Sequence, residues 1–169
     1  MRFNLLILLF SLNSHAAITA GVGLFSWQER VIYNINDNKL DANASFTSFG
    51  PIIGYESLLS LRYRGGVNIY YHSGVADVLK VDGALPTRHN FKSIWFSGKV
   101  LYRVSTTFAV GPNVFTSQKQ MQNLPDAVTG GIFLNFEYDI FDQVRLIQSL
   151  GTLGDRGLLA YSFMLNRSF

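Results

Sequence analysis

The chain has 169 residues, a net charge of +3 and no cysteine, with 48% hydrophobic, 14% aromatic and only 15% charged residues. That length suits one domain. The absence of any Lys/Arg run excludes the charge pattern of a nucleic-acid binder, so no nucleic-acid partner is expected. Zero Cys excludes disulfide staples and thiol chemistry and is compatible with a periplasmic environment.

Met1-Arg2 supplies a short positive start, 5–12 (LLILLFSL) an apolar run, and Ser14-His15-Ala16 small residues before Ala17. This is the three-part pattern of a secretory signal, with cleavage after Ala16. The apolar run is too short to cross a bilayer as a helix, which takes about 20 residues. No Cys follows it, so a lipid-anchored lipoprotein is excluded. The expected organisation is a signal peptide over 1–16 and one domain over 17–169. A soluble domain carries about 25 % charged residues. The mature chain is oilier than that, yet owns no transmembrane helix.

The period of its apolar residues resolves the contradiction. A first, weaker strand is expected at 18–28, then a long polar loop at 29–45 and a second strand at 46–56. Asp41-x-Asn43-x-Ser45 in that loop looks like half of a calcium loop, but Phe46 stands where Gly is needed and the closing Glu is missing. From Ser60 to Ser73, Leu61, Tyr63, Val67, Ile69 and Tyr71 alternate with Arg62, Arg64, Asn68, Tyr70 and His72. Alternate side chains of a strand face opposite ways, so this segment lies between an apolar and a polar environment. After a loop at 73–91 the pattern returns, with Ile94, Phe96, Val100 and Tyr102 alternating with Trp95, Ser97, Lys99 and Arg103. A strand at 107–116 follows, then Val128, Ile132, Leu134, Phe136 and Tyr138 alternating with Thr129, Phe133, Asn135, Glu137 and Asp139. A strand at 143–150 and a last one at 158–169 complete eight.

Connections near 56–60, 104–106 and 139–142 are short. Those at 29–45, 73–91, 117–127 and 151–157 are longer and richer in Asn, Asp, Gly and Pro. Membrane barrels sort their loops in this way, short in the periplasm and long outside. The fold class expected is therefore all-β: an eight-stranded antiparallel up-and-down transmembrane barrel with both termini periplasmic. Pro51 and Pro112 each follow Gly inside a strand. Because proline cannot donate to the ladder, a bulge or bend is expected at each.

The chain ends on Phe169, with Leu165, Phe163 and Tyr161 at alternate positions before it and Arg167 where an apolar residue is expected. This resembles the C-terminal recognition strand of bacterial outer-membrane β-barrels, and the wider pattern resembles the small eight-stranded members of that class. The resemblance implies insertion by the barrel-assembly machinery, with Tyr161, Phe163, Leu165 and Phe169 as the assembly signal. It also implies contact with outer-membrane lipid and lipopolysaccharide. The partner of the surface loops is not legible.

Glu56, Arg62, Arg64, Arg103, Glu137 and Arg145 fall on inward positions near the periplasmic strand ends, with Lys99 somewhat deeper. Eight strands enclose a lumen just wide enough for side chains. Charges buried there must pair, so the leading expectation is an ion-pair plug. A gated narrow pore and a basic pocket for an anion are the alternatives. No phosphate-cradling Gly loop, zinc-ligand spacing or other cofactor motif occurs, and no cofactor or metal is expected. His72, Ser73, Asp77, Asp82 and His89 invite a hydrolase reading, but Ser73 next to His72 faces the other way along a strand. The leading function is an outer-membrane scaffold that presents its loops. A lipid- or lipopolysaccharide-modifying enzyme using His72, and a soluble periplasmic barrel for a small apolar ligand, are the competing classes.

Overall fold

The computed structural model describes residues 16–35, 38–78, 87–121, 127–153 and 159–169, with backbone alone at 31–35, 38–41, 87, 127, 153, 159–163 and 166. Most of the signal segment therefore lies outside the described residues. Eight strands follow one another: β1 (Ala16–Ile35), β2 (Asn38–Leu58), β3 (Tyr63–Val78), β4 (Thr87–Arg103), β5 (Phe108–Met121), β6 (Ala127–Phe141), β7 (Val144–Leu153) and β8 (Leu159–Ser168). Each pairs antiparallel with the next, and β1 closes on β8 from Thr19↔Ser168 to Trp27↔Ala160. The result is a closed up-and-down barrel, which leaves no free sheet edge.

The alternation in the sequence becomes two faces. Val67, Ile69 and Tyr71 of β3 and Ile94, Phe96, Val100 and Tyr102 of β4 point outward and are exposed, while Arg64, Asn68, Tyr70, His72, Trp95, Ser97 and Lys99 are buried inside. Outward apolar residues continue along β4 from Ile94 to Tyr102, and exposed Val104 follows in the turn. About ten residue steps at ~3.3 Å, tilted by ~40°, cover ~25 Å along the axis, the height of a membrane barrel's apolar band. At one end of the belt, Tyr63 and Tyr102 meet edge to face at 5.5 Å and Phe108 stacks on Tyr138 at 4.9 Å. Aromatic pairs at such a level form the interfacial girdle of a membrane barrel.

The strands run further than the sequence suggests. The β1–β2 ladder extends to Ile35↔Asn38, so the expected loop at 29–45 is mostly strand and its connection is two residues, 36–37. The remaining connections at that end shorten to 79–86, 122–126 and 154–158. The strict short–long sorting thus fails at the first connection. The cause is that the outward face turns polar (Gln28, Arg30, Asn43, Asp77, Arg88, Asn90, Lys92) while the inward face stays apolar with Trp27, Ala42, Ala44, Phe46, Ala76, Val78 and Phe91. The barrel wall continues beyond the belt into water.

The opposite end has tight turns at 59–62, 104–107 and 142–143. Ser60 Oγ accepts from the N–H groups of Arg62 and Tyr63, and Ser105 Oγ from that of Thr107, each at 3.2 Å. A serine hydroxyl here replaces a missing backbone partner.

Of the bulge or bend expected at Gly50-Pro51 and Gly111-Pro112, no bulge occurs, because the register is kept across each. The β2–β3 ladder pairs Phe49↔Ser73 and then Ile52↔Tyr70, and the β4–β5 ladder pairs Lys99↔Asn113 and then Tyr102↔Val110. Pairing skips two residues and resumes at the same offset. Proline offers no N–H on that side, and the preceding glycine lets the strands close in. A Cβ on Gly50 would lie 1.9 Å from Tyr71 O, and one on Gly111 2.1 Å from Val100 O. A register shift does occur between Asp139 and Phe141, next to the β6–β7 turn.

Candidate functional site

The interior is the candidate site, and its first layer is ionic. Inward positions on five strands bring together Glu56, Arg64, Lys99, Glu137 and Arg145, all buried. Lys99 Nζ donates to Glu137 Oε1 at 2.5 Å and lies 2.5 Å from Glu56 Oε1. Arg64 Nη2 donates to Glu137 Oε2 at 2.8 Å, and Arg145 Nη1 to Glu56 Oε2 at 2.5 Å. Arg145 Nη1 also lies 3.4 Å from Glu137 Oε2. Each carboxylate therefore faces all three cations, since Arg64 Nε is 3.7 Å from Glu56 Oε2.

Two residues expected in this layer are elsewhere. Arg62 lies in the turn at 59–62 and is exposed; Arg103 is the half-buried last residue of β4, and its N–H donates to Arg62 O at 2.8 Å. Neither forms an ion pair among the described residues. The strand ends there, so the inward parity no longer points into an enclosed space. Conversely, Asp139 belongs to the layer and was missed: it accepts from Arg145 Nε at 2.7 Å. It keeps the inward parity of Glu137, a signal that was available in the sequence. With Arg62 and Arg103 removed and Asp139 added, Arg64, Lys99 and Arg145 face Glu56, Glu137 and Asp139, and the charges balance.

Beyond the ions the lumen becomes polar and then aromatic. Asn68 Nδ2 donates to Ser97 Oγ at 3.3 Å, which also lies 3.1 Å from Tyr70 Oη. A cavity of ≈10 Å³ lies among Tyr70, Ser97, Asn113 and Ser149 beneath the rings; a single water needs about that much. Above it Trp95, 1% exposed, stacks on Phe115 at 5.0 Å and meets Trp27 at 5.2 Å. Trp27 in turn stacks on Phe46 at 4.9 Å, with Phe91 edge-on at 5.6 Å. Lys119 closes the column: it is ion-paired with Glu29 and sits 5.0 Å over the Phe46 ring. Trp27 Nε1 donates to Glu29 Oε2 at 3.0 Å. This aromatic layer and second ion pair were not anticipated. Their signal was aromatic residues such as Trp95 and Phe133 on the parity otherwise polar.

His72 lies in this layer, fully buried, with Nδ1 3.1 Å from Ser48 Oγ and the Phe25 ring at 4.6 Å. Ser73 faces outward. The His72 ring is enclosed by Phe25, Tyr70 and Trp95. Asp41, Asn43 and Ser45 belong to the β1–β2 ladder. Among the described residues, no group of three or more His, Cys, Asp or Glu could hold a metal ion.

At the chain's end, Tyr161 and Phe163 pair across β8–β1 with Ser26 and Leu24; their side chains lie outside the description. Leu165 is exposed on the outer wall, and Phe169, also exposed, donates its N–H to Ile18 O at 2.9 Å. Arg167 sits 5.3 Å over the Phe169 ring.

A closed eight-strand antiparallel ring with an apolar outer belt and a side-chain-filled interior is the fold of the small bacterial outer-membrane β-barrels. Solved structures of that class superpose on the chain. Ail, the attachment invasion locus protein of Yersinia pestis, matches with a TM-score of 0.55 at 9% identity, over 94% of this chain and 100% of Ail. The same protein in complex with the heparin analogue sucrose octasulfate gives 0.54 at 10% identity, over 94% and 100%. The outer membrane protein OprG of Pseudomonas aeruginosa gives 0.56 at 9% identity, over 93% and 97%. At these identities the likeness is one of fold. No family model and no curated protein matches the sequence.

Proposed function

We propose that the chain is a closed outer-membrane scaffold. Residues 1–16 direct export and are removed. The domain at 17–169 is inserted by the barrel-assembly machinery through its last strand, with both termini in the periplasm. The longer strand ends and their connections then stand outside the cell as a binding or structural platform. The observation that carries this reading is the exposed apolar belt on the outer wall, around an interior filled by ion pairs and packed rings. A soluble barrel for a small apolar ligand needs the opposite arrangement and an open interior.

Cell fractionation combined with cysteine labelling tests it. The protein is expected with the outer membrane, migrating differently on gels when unheated. A cysteine in place of Ser105, in a tight turn, is expected to resist a membrane-impermeant maleimide on intact cells; one in place of Asp77, at the far end, is expected to react. Recovery in the soluble periplasm would reject the membrane reading, and the opposite labelling pattern would reject the orientation.

A further inference from the structure

Asp41-Ala42-Asn43-Ala44-Ser45 fails as a calcium loop, yet it contains Asn-x-Ser, the acceptor pattern for an N-linked oligosaccharide. The hydroxyl two residues after the asparagine is read together with it, and proline is barred between them; Ala44 meets that condition. Bacterial oligosaccharyltransferases also read an acidic residue two positions before the asparagine, and Asp41 supplies it. The only other Asn-x-Ser/Thr of the chain, Asn166-Arg167-Ser168, has Met164 in place of the acid.

The fold puts Asn43 where a glycan has room. Along β2, Ala42, Ala44 and Phe46 are buried in the lumen, while Asn43 between them is exposed on the outer wall. Phe49 is the last exposed apolar residue of β2 before it. Six residues separate the two; at ~3.3 Å each and a tilt of ~40°, Asn43 stands ~15 Å clear of the belt. Arg30 pairs with it on β1, but the β2–β3 ladder reaches only to Ala44↔Val78. A strand therefore flanks Asn43 on one side only, and its side chain meets water. Asn166 instead falls on the β8 parity of buried Met164.

We propose that Asn43 is an N-glycosylation site, modified in the periplasm from a polyprenyl-diphosphate-linked oligosaccharide. Asn43 Nδ2 attacks the anomeric carbon of the first sugar. The N–C bond forms as the C–O bond to the diphosphate breaks; the bonding pair leaves on the diphosphate oxygen, and the amide nitrogen gives up one proton. The site rests on the export proposed above but not on the orientation of the barrel. Donor and transferase belong to the inner membrane, so transfer precedes insertion. A bulky polar group is then compatible with a closed barrel because it stands outward and beyond the belt.

The protein would be isolated from its own cells, cut with trypsin and read by tandem mass spectrometry. Cleavage after Lys39 and Arg62 releases 40–62, and cleavage after Arg156 and Arg167 releases 157–167. Peptide 40–62 is expected with a sugar on Asn43, and 157–167 bare. Ser45→Ala should abolish the sugar and Ser45→Thr should keep it. Asp41→Asn should lower its occupancy about tenfold, the worth of one charge-assisted hydrogen bond. Each variant is readable even if it folds poorly, because transfer comes first. A bare 40–62 from chains that begin at Ala17 would overturn the proposal and leave the export reading intact. Chains that keep residues 1–16 and stay in the cytoplasm would overturn both. A sugar that survives Ser45→Ala, or that persists in cells lacking the transferase, would also overturn it.

Discussion

Glu137 is the residue on which the ion layer turns. It is 1% exposed and meets Lys99, Arg64 and Arg145 within 3.4 Å. Removing one partner from a buried ionic network leaves uncompensated charge, at a cost of about 3–5 kcal/mol. Glu137→Gln keeps the shape and loses the charge, so the barrel is expected to unfold at lower denaturant, by about 3 kcal/mol, when refolded in lipid. An unchanged midpoint would remove Glu137 from the network. Arg62→Gln is expected to stay within about 0.5 kcal/mol of wild type, because it is an exposed turn residue. At this scale the sequence was legible wherever a strand persisted. Parity placed Glu56, Arg64, Lys99, Glu137 and Arg145 on one face, and they meet. It misplaced Arg62 because parity has no meaning in a turn. It passed over Asp139 because the residue lies beside a turn that seemed to end the strand.

At the scale of the strand, the visible signal was the outward apolar residue. Ile94 to Tyr102 and Val67 to Tyr71 marked the belt well. Once the outward face became polar, at Lys92 or Ser73, the alternation no longer contrasted with a loop, and the strand ends were read as loops. The inner face held the missing information, in Trp27, Phe46, Phe91 and Val78, but as single apolar residues among polar ones. The aromatic layer depends on rings from several strands meeting, a long-range fact that no local window contains. Trp95→Ala removes the ring between Phe115 and Trp27, and its expected cost is about 3–5 kcal/mol by the same unfolding assay. A loss under about 1 kcal/mol would show that the lumen re-packs around the gap. The final strand is expected to matter for rate. Deleting Phe169 takes an exposed ring and one bond to Ile18, so folded stability should change little while insertion by the assembly machinery slows. Normal insertion of the truncated chain in a reconstituted assembly assay would deny the terminal ring that role.

Across the whole molecule the barrel is blocked twice. The layer of Glu56, Arg64, Lys99, Glu137, Arg145 and Asp139 blocks one end of the lumen. The column from Trp95 through Trp27 to the Glu29–Lys119 pair blocks the other. The sequence pointed to the first plug through its inward charges; the second came only with the closed ring. The two are independent, since no member of one contacts the other in the interactions described. Loosening the ionic plug should therefore cost stability without opening a path. Single-channel recording in planar bilayers tests the sealed scaffold most directly. Wild-type barrel is expected to be silent under an applied potential, and Glu137→Gln to stay silent although less stable. A steady ohmic conductance from the wild type would contradict the sealed lumen and make the protein a pore.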